Sequence, residues 1–180
     1  MILSSVLILA AILLAIWFEV AGRKNGIAAI PSLPHQRRAV LKALAAYSPS
    51  PGVISSPLIL ELGSGWGGLI AHLTHIYPAA RIMGYELFWP AYAVSRLRLW
   101  RRPNVTVKKA NLFTAPFDQA DIIICYLSFD LMRRLEPVFI KHARPGAILI
   151  SVSFPLTHHT PIDTIKIPGL TTSTVYVYRG

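Results

Sequence analysis

Apolar and polar positions divide the chain into an apolar leader and a longer stretch in which short apolar runs alternate with helical patterns. Residues 2–22 carry a single charged side chain, Glu19. At a rise of 1.5 Å per residue this run makes a helix of about 32 Å, enough to cross a hydrocarbon core of about 30 Å. We therefore predict a transmembrane anchor at residues 1–22. A cleaved signal peptide is the alternative, but it should begin with positive side chains, and residues 1–5 have none.

The next stretch, residues 23–52, forms a basic connector between the anchor and a globular domain at residues 53–180. From residue 35 to residue 47 the apolar positions recur at helical spacing opposite a basic face. We predict an amphipathic helix that packs on the domain and holds three basic side chains toward lipid: Arg37, Arg38 and Lys42. The positive-inside rule places a domain that follows such a stretch on the cytoplasmic or matrix side of the membrane.

The globular domain has the pattern of an α/β fold. From residue 58 onward, short apolar runs alternate with helical patterns, as expected for β-α units around a mainly parallel sheet. The last two strand patterns, residues 164–167 and 174–178, have only a short turn between them. Parallel strands need a long crossover connection, so these two strands must pair as an antiparallel hairpin.

A glycine-rich loop, the strongest candidate for a ligand-binding site, follows the first predicted strand. Four of the six residues from Gly63 to Gly68 are glycines. Glycine lets the backbone pass close to a ligand, and the N-terminus of the following helix offers unpaired N–H groups. Gly63, Gly65 and Gly68 fit G-x-G-x-x-G, the dinucleotide-binding fingerprint. Gly63, Gly65 and Gly67 fit a second pattern, E-x-G-x-G-x-G, with Glu61 as its acid.

The second pattern resembles motif I of class I methyltransferases that use S-adenosylmethionine. An acid at the end of the first strand suits the ammonium and sulfonium of that cofactor, and it suits a pyrophosphate poorly. A purely structural glycine turn is the third interpretation. The hairpin favours the second, because a Rossmann-like seven-stranded sheet closed by an antiparallel hairpin is the class I methyltransferase layout. In addition, 180 residues leave no room for the substrate domain of a dehydrogenase.

A second acid follows the second predicted strand, which runs over residues 81–85. Glu86 lies about 20 residues after the glycine loop, where a carboxylate can accept hydrogen bonds from both hydroxyls of a ribose. The dinucleotide and the S-adenosylmethionine hypotheses both predict this acid. A solvated glutamate at a strand end is the alternative without function.

The charge balance narrows the choice of partners. The net charge is +10 with only 8 acidic residues, which favours an anionic partner: nucleic acid, acidic protein or anionic lipid. The mean hydropathy of +0.49 favours lipid. Residues 90–100 predict a helix with a basic and aromatic surface suited to lipid headgroups. The single cysteine, Cys125, excludes an intramolecular disulfide.

Further segments extend the methyltransferase pattern along the chain. They are Glu61–Gly67, Gly84–Leu87, Ser95-Arg96, Trp100-Arg101, Leu135-Glu136, Phe154-Pro155 and Thr174–Tyr178. With the apolar leader, this set resembles the small membrane-anchored protein-lysine methyltransferases of mitochondria, which modify the ATP synthase c subunit and the adenine nucleotide translocase, and their prokaryotic relatives. The resemblance covers about residues 31–178. It implies S-adenosylmethionine as cofactor and a lysine of a small membrane protein as the methyl acceptor.

The resemblance also implies roles for individual residues. Motif I would hold the methionine end of the cofactor through Glu61, Gly63, Ser64, Gly65 and Gly67. The ribose would be held by Glu86, and the adenine by Asn111, Leu87 and Leu112. The polar groups expected nearest the acceptor are Tyr126, Ser128 and Asp130.

Two positions depart from the family pattern. Asn111 stands where the family usually has aspartate, although its side-chain oxygen can accept the same bond from the adenine amino group. Residues 127–129 replace a Gly-x-Pro-like turn beside the transferred methyl group. These departures keep two alternatives open. One is a membrane-bound methyltransferase for a lipid or small molecule, and the other is a non-catalytic module that binds S-adenosylmethionine.

Nucleic acid and metal are the partners that the motifs disfavour. Residues 126–129 are not the Asn-Pro-Pro-Tyr type of turn that grips planar amino groups of bases. This argues against methylation of nucleic-acid bases despite the basic charge. His72 and His75 lie at i and i+3 of one predicted helix, but the sequence offers no third ligand near them. We therefore predict no metal site.

Overall fold

The computed structural model describes residues 32–48, 56–167 and 173–180. The predicted anchor at residues 1–22 lies outside the described residues, as do parts of the connector. Among the helices that are described, none has the length and apolar character needed to span a bilayer. Residues 31–180 form one compact unit by their contacts.

The described elements alternate between helices and strands, as the pattern predicted. The helices are α1 (Pro34–Tyr47), α2 (Gly68–Ile76), α3 (Trp89–Leu99) and α4 (Phe129–His142), with a short 3-10 helix at Leu112–Thr114. The strands are β1 (Leu58–Leu62), β2 (Arg81–Glu86), β3 (Val105–Lys109), β4 (Ile122–Cys125), β5 (Ile148–Val152), β6 (Asp163–Ile167) and β7 (Ser173–Arg179).

The strands form one seven-stranded sheet in the order β3-β2-β1-β4-β5-β7-β6. Strands β1 to β5 are parallel, whereas β7 is antiparallel to both β5 and β6. This confirms the predicted α/β sheet closed by a hairpin. The strand order reverses between β1 and β4, and in open α/β sheets ligands bind at the carboxyl ends of the strands beside such a switch point. The glycine loop begins at this place.

Two apolar cores cover the two faces of the sheet. Helices α1, α2 and α3 pack on one face, and α4 packs on the other. Successive side chains of a strand point to opposite faces. In β1, Ile59 faces the three-helix side, and Leu58, Leu60 and Leu62 face α4. The same alternation turns Glu61 toward the three-helix side, so the motif acid lies under α1 and α2.

Helix α1 packs on the domain as predicted, but one of its basic residues departs from the expectation. Its buried residues are Gln36, Ala39, Val40, Ala43 and Leu44. Arg38 and Lys42 are exposed, whereas Arg37 is half-buried and donates from its Nε and Nη2 to the carbonyl oxygen of Ser32. The reason is its position: residue 37 lies one turn before Val40 and so at the margin of the buried face. Arg37 therefore faces a cavity of the domain.

Candidate functional site

The glycine loop between β1 and α2 requires left-handed backbone at three positions. The φ angles are +75° at Gly63, +50° at Gly65 and +73° at Gly67. Side chains with a Cβ adopt this region at a cost. The loop is fastened to β2, because the backbone N–H groups of Gly63 and Ser64 both donate to the carbonyl oxygen of Tyr85 at 2.9 Å.

The geometry distinguishes the two glycine patterns. A Cβ on Gly67 would lie 3.0 Å from Cβ of Ser95 and 3.1 Å from Cδ1 of Leu99, in addition to its positive φ. A Cβ on Gly68 would meet only ordinary contacts, at 3.6 Å and beyond. The glycines that the fold requires are thus those of E-x-G-x-G-x-G. The dinucleotide fingerprint needs Gly68 instead.

A further glycine supports the loop from β2. A Cβ on Gly84 would lie 2.6 Å from Cδ1 of Ile70 and 2.9 Å from Oγ of Ser64. Gly84 had no predicted role of its own, although it begins one of the segments of the resemblance. A glycine inside a strand pattern often marks a close approach of other atoms, and that signal could have identified it.

Glu61 is a buried acid with an unsatisfied oxygen. Its side chain is 8% exposed, and within the described part of the chain its Oε2 has no hydrogen-bond partner. Burial, and then the charge of Glu86, raise the pKa of Glu61 to about 8, while the backbone N–H of Ile70 and the guanidinium of Arg37 act in the opposite direction. A buried acceptor without a partner is costly, so this site suits a ligand that brings an ammonium group. That observation fits S-adenosylmethionine.

Glu86 ends β2 and is tied to the loop of motif I. Its Oε2 accepts the backbone N–H of Gly65 at 2.7 Å, and its Oε1 accepts that of Phe88 at 2.7 Å. Burial raises the pKa of Glu86, although these N–H donors pull it down. Each carboxylate oxygen has a second lone pair, so Glu86 can accept bonds from ribose hydroxyls while it holds the loop.

The three residues predicted to hold adenine stand on two neighbouring loops at the carboxyl ends of β2 and β3. Leu87 is 49% exposed directly after Glu86. Asn111 is exposed and caps the 3-10 helix, because its Oδ1 accepts the N–H of Phe113 at 3.1 Å. Leu112 is half-buried as the first residue of that helix. Asn111 thus has a local structural role, and its side-chain oxygen keeps one lone pair for a ligand.

A small cavity on the three-helix side joins motif I to the segment after β4. Its polar lining consists of Ser32, Gln36, Arg37, Glu61 and Tyr126, and its apolar lining includes Val40, Leu69, Ile124 and Val152. Gln36 connects α1 to this segment, since its Nε2 donates to the phenol oxygen of Tyr126 at 3.3 Å. The same side chain accepts the backbone N–H of Leu33 at 2.8 Å.

The three residues predicted to lie near the acceptor are therefore not equivalent. Tyr126 is half-buried and lines the cavity with Glu61. Ser128 and Asp130 are exposed at the start of α4 and do not line that cavity. Ser128 is the N-cap residue of α4. Asp130 lies in the first turn of α4, where its negative charge interacts favourably with the helix dipole. The structure thus places Tyr126 in one cavity with the motif acid, and Ser128 and Asp130 outside that cavity.

Glu136, which belongs to one of the segments of the resemblance but had no predicted role, holds the loop after β5. Glu136, buried in α4, accepts the backbone N–H groups of Thr157 and His158 at 2.9 and 2.7 Å. Burial raises its pKa, but these donors and His159 outweigh burial and leave the pKa of Glu136 lowered. Ser153 begins this loop with a φ of +73°. Backbone strain of this kind often marks a functional loop, but it cannot be read from a sequence.

The described residues contain no group of three or more His, Cys, Asp or Glu side chains placed to hold a metal ion. The two histidines of α2 have other partners: His72 Nδ1 lies 2.9 Å from the carbonyl oxygen of Gly68, and His75 Nε2 lies 3.3 Å from Nη2 of Arg102.

Comparison with known proteins identifies similar sequences and folds. The family model described as the ANTKMT methyltransferase domain matches residues 61–163, a range that includes every predicted site residue. A curated relative is the protein-lysine N-methyltransferase of Saccharolobus islandicus (strain REY15A). It is 21% identical over 153 residues, which cover 83% of this chain and 92% of the relative.

Two solved structures illustrate the shared fold. The RNA methyltransferase from Salinibacter ruber, in complex with S-adenosyl-L-homocysteine, has a TM-score of 0.70 and 22% identity, covering 83% of this chain and 93% of its own. The N-methyltransferase NodS from Bradyrhizobium japonicum WM9 has a TM-score of 0.60 and 12% identity, covering 80% and 93%. At these identities both structures establish the class I methyltransferase fold alone.

Proposed function

Because the chain belongs to the ANTKMT methyltransferase domain family and is a methyltransferase that depends on S-adenosylmethionine, we propose that it methylates a lysine side chain of a small membrane protein. The name of the archaeal relative, a protein-lysine N-methyltransferase, supports the lysine acceptor. The observation that carries the cofactor part of the proposal is the pair of buried acids, Glu61 and Glu86, at the ends of neighbouring strands beside the glycine loop.

Different residues of the site are assigned to the methionine end, the ribose and the adenine of the cofactor. Glu61 offers a buried carboxylate oxygen to the ammonium, and the backbone of Gly63, Ser64, Gly65 and Gly67 forms the wall around the methionine end. Glu86 would accept the ribose hydroxyls, and Leu87, Asn111 and Leu112 would hold the adenine. When bound, S-adenosylmethionine supplies the methyl group, and the work of this chain is to align the acceptor with it.

A lysine acceptor must lose a proton before its nitrogen can attack. With a reference pKa of about 10.4, this deprotonation costs about 4.6 kcal/mol at pH 7. Burial of the amine among apolar side chains lowers that cost by desolvation. Tyr126 lines the cavity together with Ile124 and Val152. Its phenol oxygen, which accepts one bond from Gln36, would accept an N–H of the amine and orient the nitrogen lone pair. Ser128 and Asp130, exposed at the start of α4, would contact the approaching substrate chain.

The membrane part of the proposal assigns residues 1–22 as a single anchor and places the domain on the cytoplasmic or matrix side. Helix α3 supports a lipid-facing surface, because Trp89, Leu97 and Trp100 are 60%, 73% and 70% exposed and recur at helical spacing. Arg96 is exposed next to this stripe, and the guanidinium of Arg101 lies 4.7 Å from the ring centroid of Trp100. Apolar side chains flanked by arginines suit an anionic headgroup layer.

Charge complementarity extends this surface to the neighbouring helices. Helices α1, α2 and α3 pack on the same face of the sheet and contain no Asp or Glu. Helix α4, on the opposite face, carries charges of both signs, with Asp130 and Glu136 in the same helix as Arg133, Arg134 and Lys141. The three-helix side is therefore the side that we propose to face anionic lipid.

The experiment that tests the acceptor uses S-adenosylmethionine with a labelled methyl group and native membranes from cells that lack the protein. The full chain is added, and proteins and lipids are then separated. Label in a small membrane protein, released as methyl-lysine after hydrolysis, is the expected result. Label in the lipid extract would favour a lipid methyltransferase, and binding of the cofactor without any transfer would favour a non-catalytic module. Glu86→Ala protein serves as the control for background incorporation.

A further inference from the structure

The cavity between α1 and β1 is lined by a carboxyl group and a guanidinium that form no direct ion pair with each other. Glu61 and Arg37 both line it. The ion pairs among the described residues join Arg144 to Asp121 and His159 to Glu136, so neither Glu61 nor Arg37 takes part in one there. A buried carboxylate and a guanidinium that share a cavity without pairing are complementary to a ligand with both charges.

The guanidinium of Arg37 is held in place from one side by its hydrogen bonds to described residues. Its Nε and Nη2 donate to the same carbonyl oxygen, that of Ser32, at 2.9 and 2.8 Å. The opposite side is turned toward the start of α2, where a Cβ of Gly68 would lie 3.7 Å from Nη1 of Arg37. Nη1 of Arg98 lies 3.6 Å from the same point. Two guanidinium groups thus converge on a helix N-terminus, which is itself positive.

Arg37 calls for a negatively charged group on the ligand, and Glu61 calls for a positively charged one. Its Oε2 is buried and lacks a hydrogen-bond partner within the described residues, so it needs a donor that the protein does not supply there. An ammonium can donate a hydrogen bond to Oε2 of Glu61, and a carboxylate can accept hydrogen bonds from the guanidinium of Arg37. An α-amino acid carries both groups on one carbon atom.

We propose that Arg37 binds the carboxylate at the amino-acid end of the cofactor, opposite Glu61, which binds the ammonium of the same end. The proposal rests on the proposed function, since it deepens the assignment of the cofactor site. It makes α1 part of that site and not only a connector to the anchor. The neighbouring residue Gln36 bonds Tyr126, so one turn of α1 reaches both the cofactor end and the acceptor side.

The test compares S-adenosylhomocysteine with its decarboxylated form, which keeps the amine and lacks the carboxylate. Calorimetry on the full chain in detergent measures both dissociation constants. The wild type should bind the complete ligand about 10- to 100-fold more tightly, the range for a hydrogen-bonded charge. Arg37→Gln should abolish most of this preference by weakening only the complete ligand, and Arg37→Lys should restore part of it.

The matched control is Arg38→Gln, which removes the adjacent, exposed arginine and should leave the preference unchanged. Because the preference is a ratio within one protein, partial misfolding of a variant does not alter it. If Arg37→Gln weakens both ligands equally, or neither, Arg37 has only a structural role and the inference is wrong. Failure of the wild type to bind S-adenosylhomocysteine at all would overturn the cofactor site as a whole, whereas normal binding without lysine methylation would overturn only the proposed acceptor.

Discussion

Gly65 donates its backbone N–H to Oε2 of Glu86 across 2.7 Å, which fastens the glycine loop to the acid at the end of the neighbouring strand. The other oxygen of that carboxylate accepts the N–H of Phe88 at 2.7 Å and so fixes the start of α3. One side chain thereby orders both backbone segments at the mouth of the cofactor site. Glu86 is therefore expected to affect binding through the shape of the loop as well as through the ribose.

The first prediction concerns this acid. Glu86→Ala should weaken S-adenosylmethionine binding by about 1.5–3 kcal/mol, the range for hydrogen bonds to a charged group. Calorimetry on wild type and variant measures the change. An unchanged affinity, or tight binding of NAD by the wild type, would show that this acid has been assigned to the wrong ligand.

A pair of glycine variants tests which motif the loop follows. Gly67→Ala should destabilise the fold by about 1–3 kcal/mol, since it places a Cβ at a φ of +73° and 3.0 Å from Cβ of Ser95. Gly68→Ala should leave stability within about 0.5 kcal/mol or raise it, because alanine suits a helix. Urea unfolding of the full chain in detergent compares the two. The opposite order would support the dinucleotide pattern.

The third prediction follows from the raised pKa of Glu61, which is about 8 when burial and Glu86 act on it against Arg37 and the Ile70 N–H. At pH 6 to 7 the carboxyl is mostly protonated, and an ammonium ligand requires it ionised. Binding should therefore release a proton, and the association constant should rise by up to about tenfold per pH unit as pH approaches 8. Above about pH 8 the amine of the cofactor itself loses its proton, so affinity should fall again.

Calorimetry between pH 6 and pH 8, in buffers of different ionisation enthalpy, measures both the affinity and the released proton. Glu61→Gln cannot ionise and should show weaker binding that hardly changes with pH below pH 7. Equal wild-type affinity at pH 6 and pH 8, without proton release, would mean that Glu61 does not hold the ammonium.

Much of this site followed from patterns that are local in the sequence. The short apolar runs and the turn residues that follow them place Glu61 and Glu86 at the ends of strands. The carboxyl ends of parallel strands meet at one edge of a sheet. The hairpin of β6 and β7 followed from the shortness of its connection. Such inferences succeed because each depends on a few neighbouring residues.

The parts that were missed depend on contacts between distant segments. Arg37 faces the cavity because of the way α1 sits on the sheet, and the bond from Gln36 to Tyr126 spans 90 positions. The need for glycine at position 84 comes from Ile70 and Ser64 across the loop. The pattern of apolar and polar residues within one helix or strand does not indicate which distant residue a side chain will contact.

The fourth prediction concerns attachment to the membrane. Because residues 2–22 carry one charged side chain and basic residues follow, the full chain should resist extraction by alkaline carbonate. Deletion of residues 1–24 should abolish that resistance and leave weaker, salt-sensitive binding to anionic vesicles through α3. Leu97→Ser in the truncated protein should reduce this residual binding. A truncated protein that still sediments quantitatively in carbonate and in high salt would show that another segment holds it.

The last prediction concerns the acceptor and follows from where the site lies. The carboxyl ends of the strands carry the cofactor loops. In the membrane arrangement that we propose, the anchor and the basic three-helix side would confine that edge to a thin layer beside the bilayer. Soluble proteins seldom enter this layer, whereas short loops between transmembrane helices lie in it. We therefore expect the methylated residue to be a lysine in such a loop, and the full chain in native membranes to modify it much faster than the truncated domain does. Mass spectrometry of membrane proteins from cells with and without this chain tests both points. If every lysine is unchanged and a lipid or a soluble metabolite is methylated instead, the protein-lysine acceptor is wrong, although the methyltransferase fold and its cofactor site stand.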